Sequence, residues 1–191
     1  VGYLVGGSNF TDTSLVNAYT PPLGYSGFVS SYSNNGSLKW NLPIYSISTS
    51  SPWVQTKIDN VALMSDGSSV VSGSFKNPLT IGNDTVVSQD TTTGGIVPQT
   101  SSGFIARIDT NGSLLWLQQI NESYIGNYVY DIAVKDDIIH VVIVTDNGND
   151  DAGMVIYKYN DLGLILDSFT ITATQFTQIR DIEIDDEGSV Y

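Results

Sequence analysis

The chain has 191 residues and carries 20 acidic side chains against 7 Lys and Arg, a formal charge of −13. A field of that sign repels phosphate backbones, which sets nucleic acid aside as a partner. Cysteine is absent, so disulfide staples and thiolate metal sites are excluded, and no apolar run reaches the length of a membrane-spanning helix.

Hydrophobic residues make up 41% of the chain, enough for a packed core, while charged residues reach only 14%. The polar surface must therefore be largely Ser, Thr, Asn and Gly, a mixture that suits exposed β-structure better than helices. Tyrosine, with 11 copies, outnumbers Phe and Trp, as expected for half-buried strand faces. The first residue is Val1 and no charged-then-apolar leader precedes it, so a processed chain or a piece of a longer one is expected. Sequons at Asn9, Asn35, Asn83, Asn111 and Asn121 mark glycosylation candidates of an exported protein.

In chain order, "VGYLVGGSNF" opens with a strand at 1–10, and "GFVSSYSNNGSLKWNLPI" at 27–44 predicts a hairpin. A second kind of hairpin follows in "DNVALMSDGSSVVSGSF" at 59–75. The long connection at 76–102 contains a small hairpin candidate, "LTIGNDTVV". Residues 103–120, "GFIARIDTNGSLLWLQQI", repeat 27–44. "YDIAVKDDIIHVVIVTD" at 130–146 and "RDIEIDDEGSVY" at 180–191 repeat the 59–75 unit, and "MVIYKYNDLGLILDSFTI" at 154–171 is a looser third copy of 27–44. In 103–120, Phe104, Ala106 and Ile108 alternate with Ile105, Arg107 and Asp109. Asn111-Gly112 then reverses the chain, and Leu114 and Trp116 alternate back. Alternation bounded by Asn-Gly or Asp-Gly is the strongest local hairpin signal, because the turn needs a positive φ that glycine adopts freely.

Two successive hairpins make a four-stranded antiparallel unit, and repetition of such units is the mark of propeller blades. The expected fold is all-β, a single domain over 1–191 with about three blades. The blade units are 1–44, 59–120 and 130–171, and another starts at 180–191. Trp40 and Trp116 fall on the last, outermost strand of their blades, where a wide ring can dock on the next blade. Asp167 holds that place in the third copy. The chain starts midway through one hairpin and stops midway through another copy of it. Two expectations follow: part of a longer propeller, which is favoured, or copies that assemble to complete one.

The motifs "GFIARIDTNGSLLW" and "NVALMSDGSSVVSGSF" resemble bacterial and archaeal cell-surface β-propeller repeats of the pattern F-V-A-K-x-D-x-x-G-x-x-x-W followed by I-A-x-D-x-x-G-x-x-Y-V-x-G. The resemblance covers nearly the whole chain and implies a surface-displayed propeller. "DTNGSLLW" is also similar to the tryptophan-docking motif of quinoprotein dehydrogenases. The vicinal cysteines of those enzymes are missing, and basic residues to hold quinone carboxylates are few.

His140, the sole histidine, sits in "IIHVVIV" and reads as a packed structural residue. Asp146, Asn149, Asp150 and Asp151 are the calcium candidates, since closely spaced carboxylates and amides in a loop supply oxygen ligands. They lack the full spacing of a known calcium loop. Trp53, Tyr124, Tyr128, Tyr19 and Tyr25 are expected in the loops that connect blades and hairpins, where aromatic rings beside Asn and Asp suit a carbohydrate or protein contact. The Lys and Arg residues form no cluster along the chain. The expected function is a non-catalytic, extracellular structural or interaction module of a cell surface, filament, surface layer or adhesin. Its partners would be other protein chains or surface glycans, with a homo-oligomer or filament as one form. No cofactor is expected beyond the calcium candidate and no catalytic residue is assigned. A carbohydrate-binding or sugar-processing propeller is the alternative, with a quinone-dependent enzyme behind it.

Overall fold

The computed structural model describes residues 2–5, 25–46, 56–76, 78–87, 101–120, 126–146, 152–172 and 181–191. Among the described residues the chain forms thirteen β-strands and no helix, and so no helix long and apolar enough to cross a membrane. The strands are β1 (Gly2–Val5), β2 (Tyr25–Tyr32), β3 (Leu38–Ser46), β4 (Thr56–Leu63), β5 (Ser69–Phe75), β6 (Leu79–Ile81) and β7 (Asp84–Val86). After these come β8 (Ser102–Ile108), β9 (Leu114–Ile120), β10 (Gly126–Lys135), β11 (Ile138–Asp146), β12 (Ala152–Tyr159) and β13 (Ile165–Thr172).

They form three antiparallel sheets: A, ordered β1-β2-β3-β6-β7; B, ordered β4-β5-β8-β9; and C, ordered β10-β11-β12-β13. Sheet A departs from the expected unit. The 79–87 hairpin lies between β5 and β8 in sequence, yet β6 pairs with β3 through Ile44↔Ile81, Tyr45↔Thr80 and Ser46↔Leu79. The segment 59–120 therefore serves two sheets, and β3 is not an edge strand over its last three residues. A bare sheet edge offers unpaired amides and carbonyls, and the hairpin satisfies them.

Five turns share one form, at 33–37, 64–68, 109–113, 160–164 and 185–189. In each, the first amide donates to the fifth carbonyl and the fourth residue, a glycine, donates to the first carbonyl. Those glycines have φ between +78° and +86°. In three of them an Asp or Asn at the first position accepts two further amides, as Asp109 does from Asn111 and Ser113. The β10–β11 turn differs, since Asp136 and Asp137 both adopt positive φ (51° and 59°) between Lys135 and Ile138.

The sheets stack face to face in chain order. Phe104, Ala106 and Ile108 of β8 join Val29, Ile44, Leu79 and Ile81 of sheet A in one apolar cluster. Ile105, on the other face of β8, joins Val129, Ile139, Val141 and Ile143 of sheet C. Every residue of β8 is buried, because sheet B has a neighbour on both sides. Residues 181–191 fold over the far face of sheet C as a small hairpin closed by the bridge Ile184↔Val190, with Ile182 against Val142 and Ile156. β13 is poorly covered, with Ile165, Leu166, Phe169 and Ile171 exposed, as are Leu162 and Leu164 in the turn before it.

Candidate functional site

The joint between sheets B and C carries the most developed side-chain geometry. Two bulges shape it. The β4–β5 register slips between Ile58 and Asn60, and the β10–β11 register slips between Val129 and Asp131, so Asp59 and Tyr130 are the unpaired residues of equivalent strands. Bulges redirect side chains and concentrate near binding sites. Gly73 on β5 makes the first bulge possible, because a Cβ there would overlap the Lys57 carbonyl oxygen and meet the Phe104 ring at 2.9 Å.

Beside the two bulges opens a cavity of about 420 Å³. From β4 it receives Lys57 and Asp59, which form an ion pair. From β5 and the residue after it come Ser74 and Lys76, and Ser101 contributes from just before β8. Tyr128, Val129 and Tyr130 close the side toward sheet C. Both tyrosines are exposed, at 44% and 39%, while Val129 between them is buried. Lys76 has no ion-pair partner among the described residues.

Trp40 and Trp116 lie elsewhere, in a repeated contact. Trp40 on β3 donates its indole N–H to the Thr110 carbonyl at 3.0 Å and packs over Gly112, in the β8–β9 turn of sheet B. Trp116 on β9 donates to the Asp161 carbonyl at 2.9 Å and packs over Gly163, in the β12–β13 turn of sheet C. Arg107 adds to the second contact. Its guanidinium donates to Ser68 Oγ, Asp66 Oδ2 and the Asp161 carbonyl, with side-chain exposure of only 10%. Hydrogen bonds from Ser68, with a smaller contribution from the Arg107 charge, hold the Asp66 carboxyl below its usual range.

Nearer the start of each sheet, equivalent polar residues bridge successive repeats. Asn60 donates to the Tyr130 carbonyl at 3.0 Å, and Asp131 accepts the Ile182 amide at 2.9 Å. Burial, together with a hydrogen bond and like charge from Asp181, raises the Asp131 carboxyl above its ordinary value. In the adjoining turns, Asp137 accepts the Ser65 amide and hydroxyl, and Lys135 pairs with Asp186 at 2.8 Å.

Of the other residues singled out by sequence, Tyr25 and Tyr128 lie in β2 and β10 and not in the loops expected for them, because those strands begin earlier than the alternation suggests, and Asp146 ends β11. Trp53, Tyr124, Tyr19, Asn149, Asp150, Asp151, Asn9 and Asn121 lie outside the described residues. Asn35, Asn83 and Asn111 are exposed in the turns after β2, β6 and β8. No group of three or more metal-binding side chains occurs among the described residues. His140 is 3% exposed within β11, and burial, then the Lys158 charge, lowers its pKa.

Lys57, Asp59, Ser74, Lys76, Ser101 and Tyr130 escaped the reading of sequence. Two of the basic residues, Lys57 and Lys76, line one cavity, and Lys57 is paired there with Asp59. The β4–β5 register, Lys57↔Ser74, brings them together. The chain matches no family model and no curated protein sequence.

Proposed function

We propose that this chain is a run of β-propeller blades acting as a non-catalytic interaction module outside the cell, within a surface layer, filament or adhesin. The carrying observation is the repeated inter-sheet contact. Trp40 and Trp116 each reach the same carbonyl and the same glycine in the next sheet's turn, separated by one repeat. Such a contact fixes successive sheets in a regular order, and a rigid stack is a good platform for holding a partner. The cavity at the joint of sheets B and C favours a glycan among the partners, since it combines exposed aromatic rings with charged and hydroxyl groups. Its one described carboxylate, Asp59, is engaged by Lys57, an arrangement suited to capture rather than to acid–base turnover.

The test is to incubate the full chain with surface polysaccharides and envelope proteins, measure retention, and recover the ligand. Retention with the ligand chemically unchanged is expected. Cleavage or oxidation of the recovered ligand overturns the non-catalytic reading. Electron microscopy of the chain tests the blade arrangement, and an irregular stack overturns it.

A further inference from the structure

We infer that the cavity between sheets B and C binds an acidic saccharide, a chain bearing hexuronate carboxylates. The inference rests on the proposed capture role and names its ligand class. Its volume of about 420 Å³ lies in the range of small-ligand pockets, roughly 300–1,000 Å³. Two of the chain's 7 basic side chains meet here, although the whole chain carries −13. Lys57 is balanced by Asp59, while Lys76 has no carboxylate partner among the described residues, so the described lining carries a net positive charge.

The two scales of charge select the ligand. The local ammonium attracts an anion, while the surrounding acidity repels densely charged polymers such as nucleic acids. A uronate chain, with one carboxylate per sugar ring, satisfies both. Tyr128 and Tyr130 are exposed, two apart on β10, and both line the cavity, so they offer aromatic surface against which the C–H face of a pyranose packs. Ser74, Ser101 and the second oxygen of Asp59 are placed to bond sugar hydroxyls.

The experiment is calorimetric titration of the full chain with tetrasaccharides of galacturonate, glucuronate and guluronate. The controls are their methyl esters, which keep the rings and remove the charge, and inorganic phosphate. At least one free-acid tetrasaccharide should bind, and its methyl ester should bind at least about tenfold more weakly. Lys76→Met and Tyr128→Ser should each weaken binding by at least about tenfold, whereas Lys39→Met, exposed on β3, should not change it. Failure of all three acids to bind, equal binding of acid and ester, or an unchanged Lys76→Met overturns the inference. Phosphate binding that competes fully with the sugar also overturns it, as that marks a simple anion site. The ester comparison uses the unmodified chain, so it stands even if a variant misfolds. Cleavage of a bound uronate would overturn only the non-catalytic reading, and retention of neutral glycans alone would overturn only the uronate.

Discussion

Arg107 and Trp116 face each other across the β8–β9 pairing, and both donate to one acceptor, the carbonyl of Asp161 in the neighbouring sheet. The corresponding pair in sheet A is Ser31 and Trp40, and in sheet C it is Lys158 and Asp167. The contact between sheets B and C is thus the more heavily hydrogen-bonded of the two tryptophan contacts. Trp116→Phe should cost about 1 kcal/mol by losing a hydrogen bond, and Arg107→Met about 2 kcal/mol. Because the two share an acceptor, each single variant leaves that carbonyl one donor, and the double variant should cost more than the sum. Urea denaturation of the four proteins checks this, and strict additivity would count against the shared contact.

Three turn glycines form a graded series. Gly36, Gly163 and Gly112 have nearly the same φ, at +83°, +78° and +86°. A Cβ on Gly36 meets nothing within 4 Å, on Gly163 it meets the Trp116 ring at 3.1 Å, and on Gly112 it meets the Trp40 ring at 2.8 Å. Alanine at Gly36 should therefore cost about 1 kcal/mol from backbone strain alone. Gly163→Ala should cost about 2 kcal/mol and Gly112→Ala about 3 kcal/mol, as displacement of the ring is added. Melting temperatures falling in any other order would contradict these contacts.

Asp131 gives a signed pH effect. Its carboxyl is raised in the folded protein by burial and by Asp181, so the fold binds that proton more tightly than the unfolded chain does. The stability from this linkage is fully present below the unfolded value and is lost as pH rises through the raised folded value. Asp131→Asn should accordingly stabilise the protein at pH 7, by about 0.5 kcal/mol after allowance for solvent screening. The gain should vanish near pH 3. Denaturation of the variant and its parent at both pH values tests the sign.

His140 acts in the opposite direction. Burial, then the Lys158 charge, lowers its folded pKa, so its contribution is present above the ordinary histidine value and is lost as pH falls through the lowered folded value. His140→Gln should flatten the stability profile below the ordinary histidine value of about 6.5. An unchanged slope there would remove His140 as its source.

Asp136 holds a positive φ of 51° without the freedom of glycine and is exposed. Asp136→Gly should stabilise the protein by about 1 kcal/mol, raising the melting temperature by roughly 2–4 °C. Asp137 shares the strain but accepts two bonds from Ser65, so Asp137→Gly should show no such gain.

The local layers of this fold were readable. Asn111-Gly112 and Asp66-Gly67 announce turns because positive φ is a property of single residues, and alternation in 104–108 announces a strand. The equal offset of Trp40 and Trp116 from their turn glycines showed that one environment recurs. What escaped is non-local. Nothing in "LTIGNDTVV" says that its strand pairs backwards with β3, because an open edge accepts any extended segment that reaches it. Nor does the alternation around Ile58 and Val129 reveal a bulge, which resets the faces of the following residues. Val61 and Leu63 accordingly stand exposed at 47% and 69%. The cavity depends on both bulges, so its lysines and Tyr130 stayed hidden while Tyr128 was noticed only as a loop aromatic.

The excursion of β6 and β7 onto sheet A has a consequence for synthesis. Leaving β5, the chain crosses to complete the rim of the earlier sheet before returning to lay down β8. A nascent chain emerging from the ribosome must keep the last three residues of β3 unsealed until residue 86 is free. From then on, the two layers are sewn together by covalent thread as well as by contact. Because β6 belongs to sheet A while β5 and β8 belong to sheet B, tension between the two sheets loads the pairing of Leu79–Ile81 with β3.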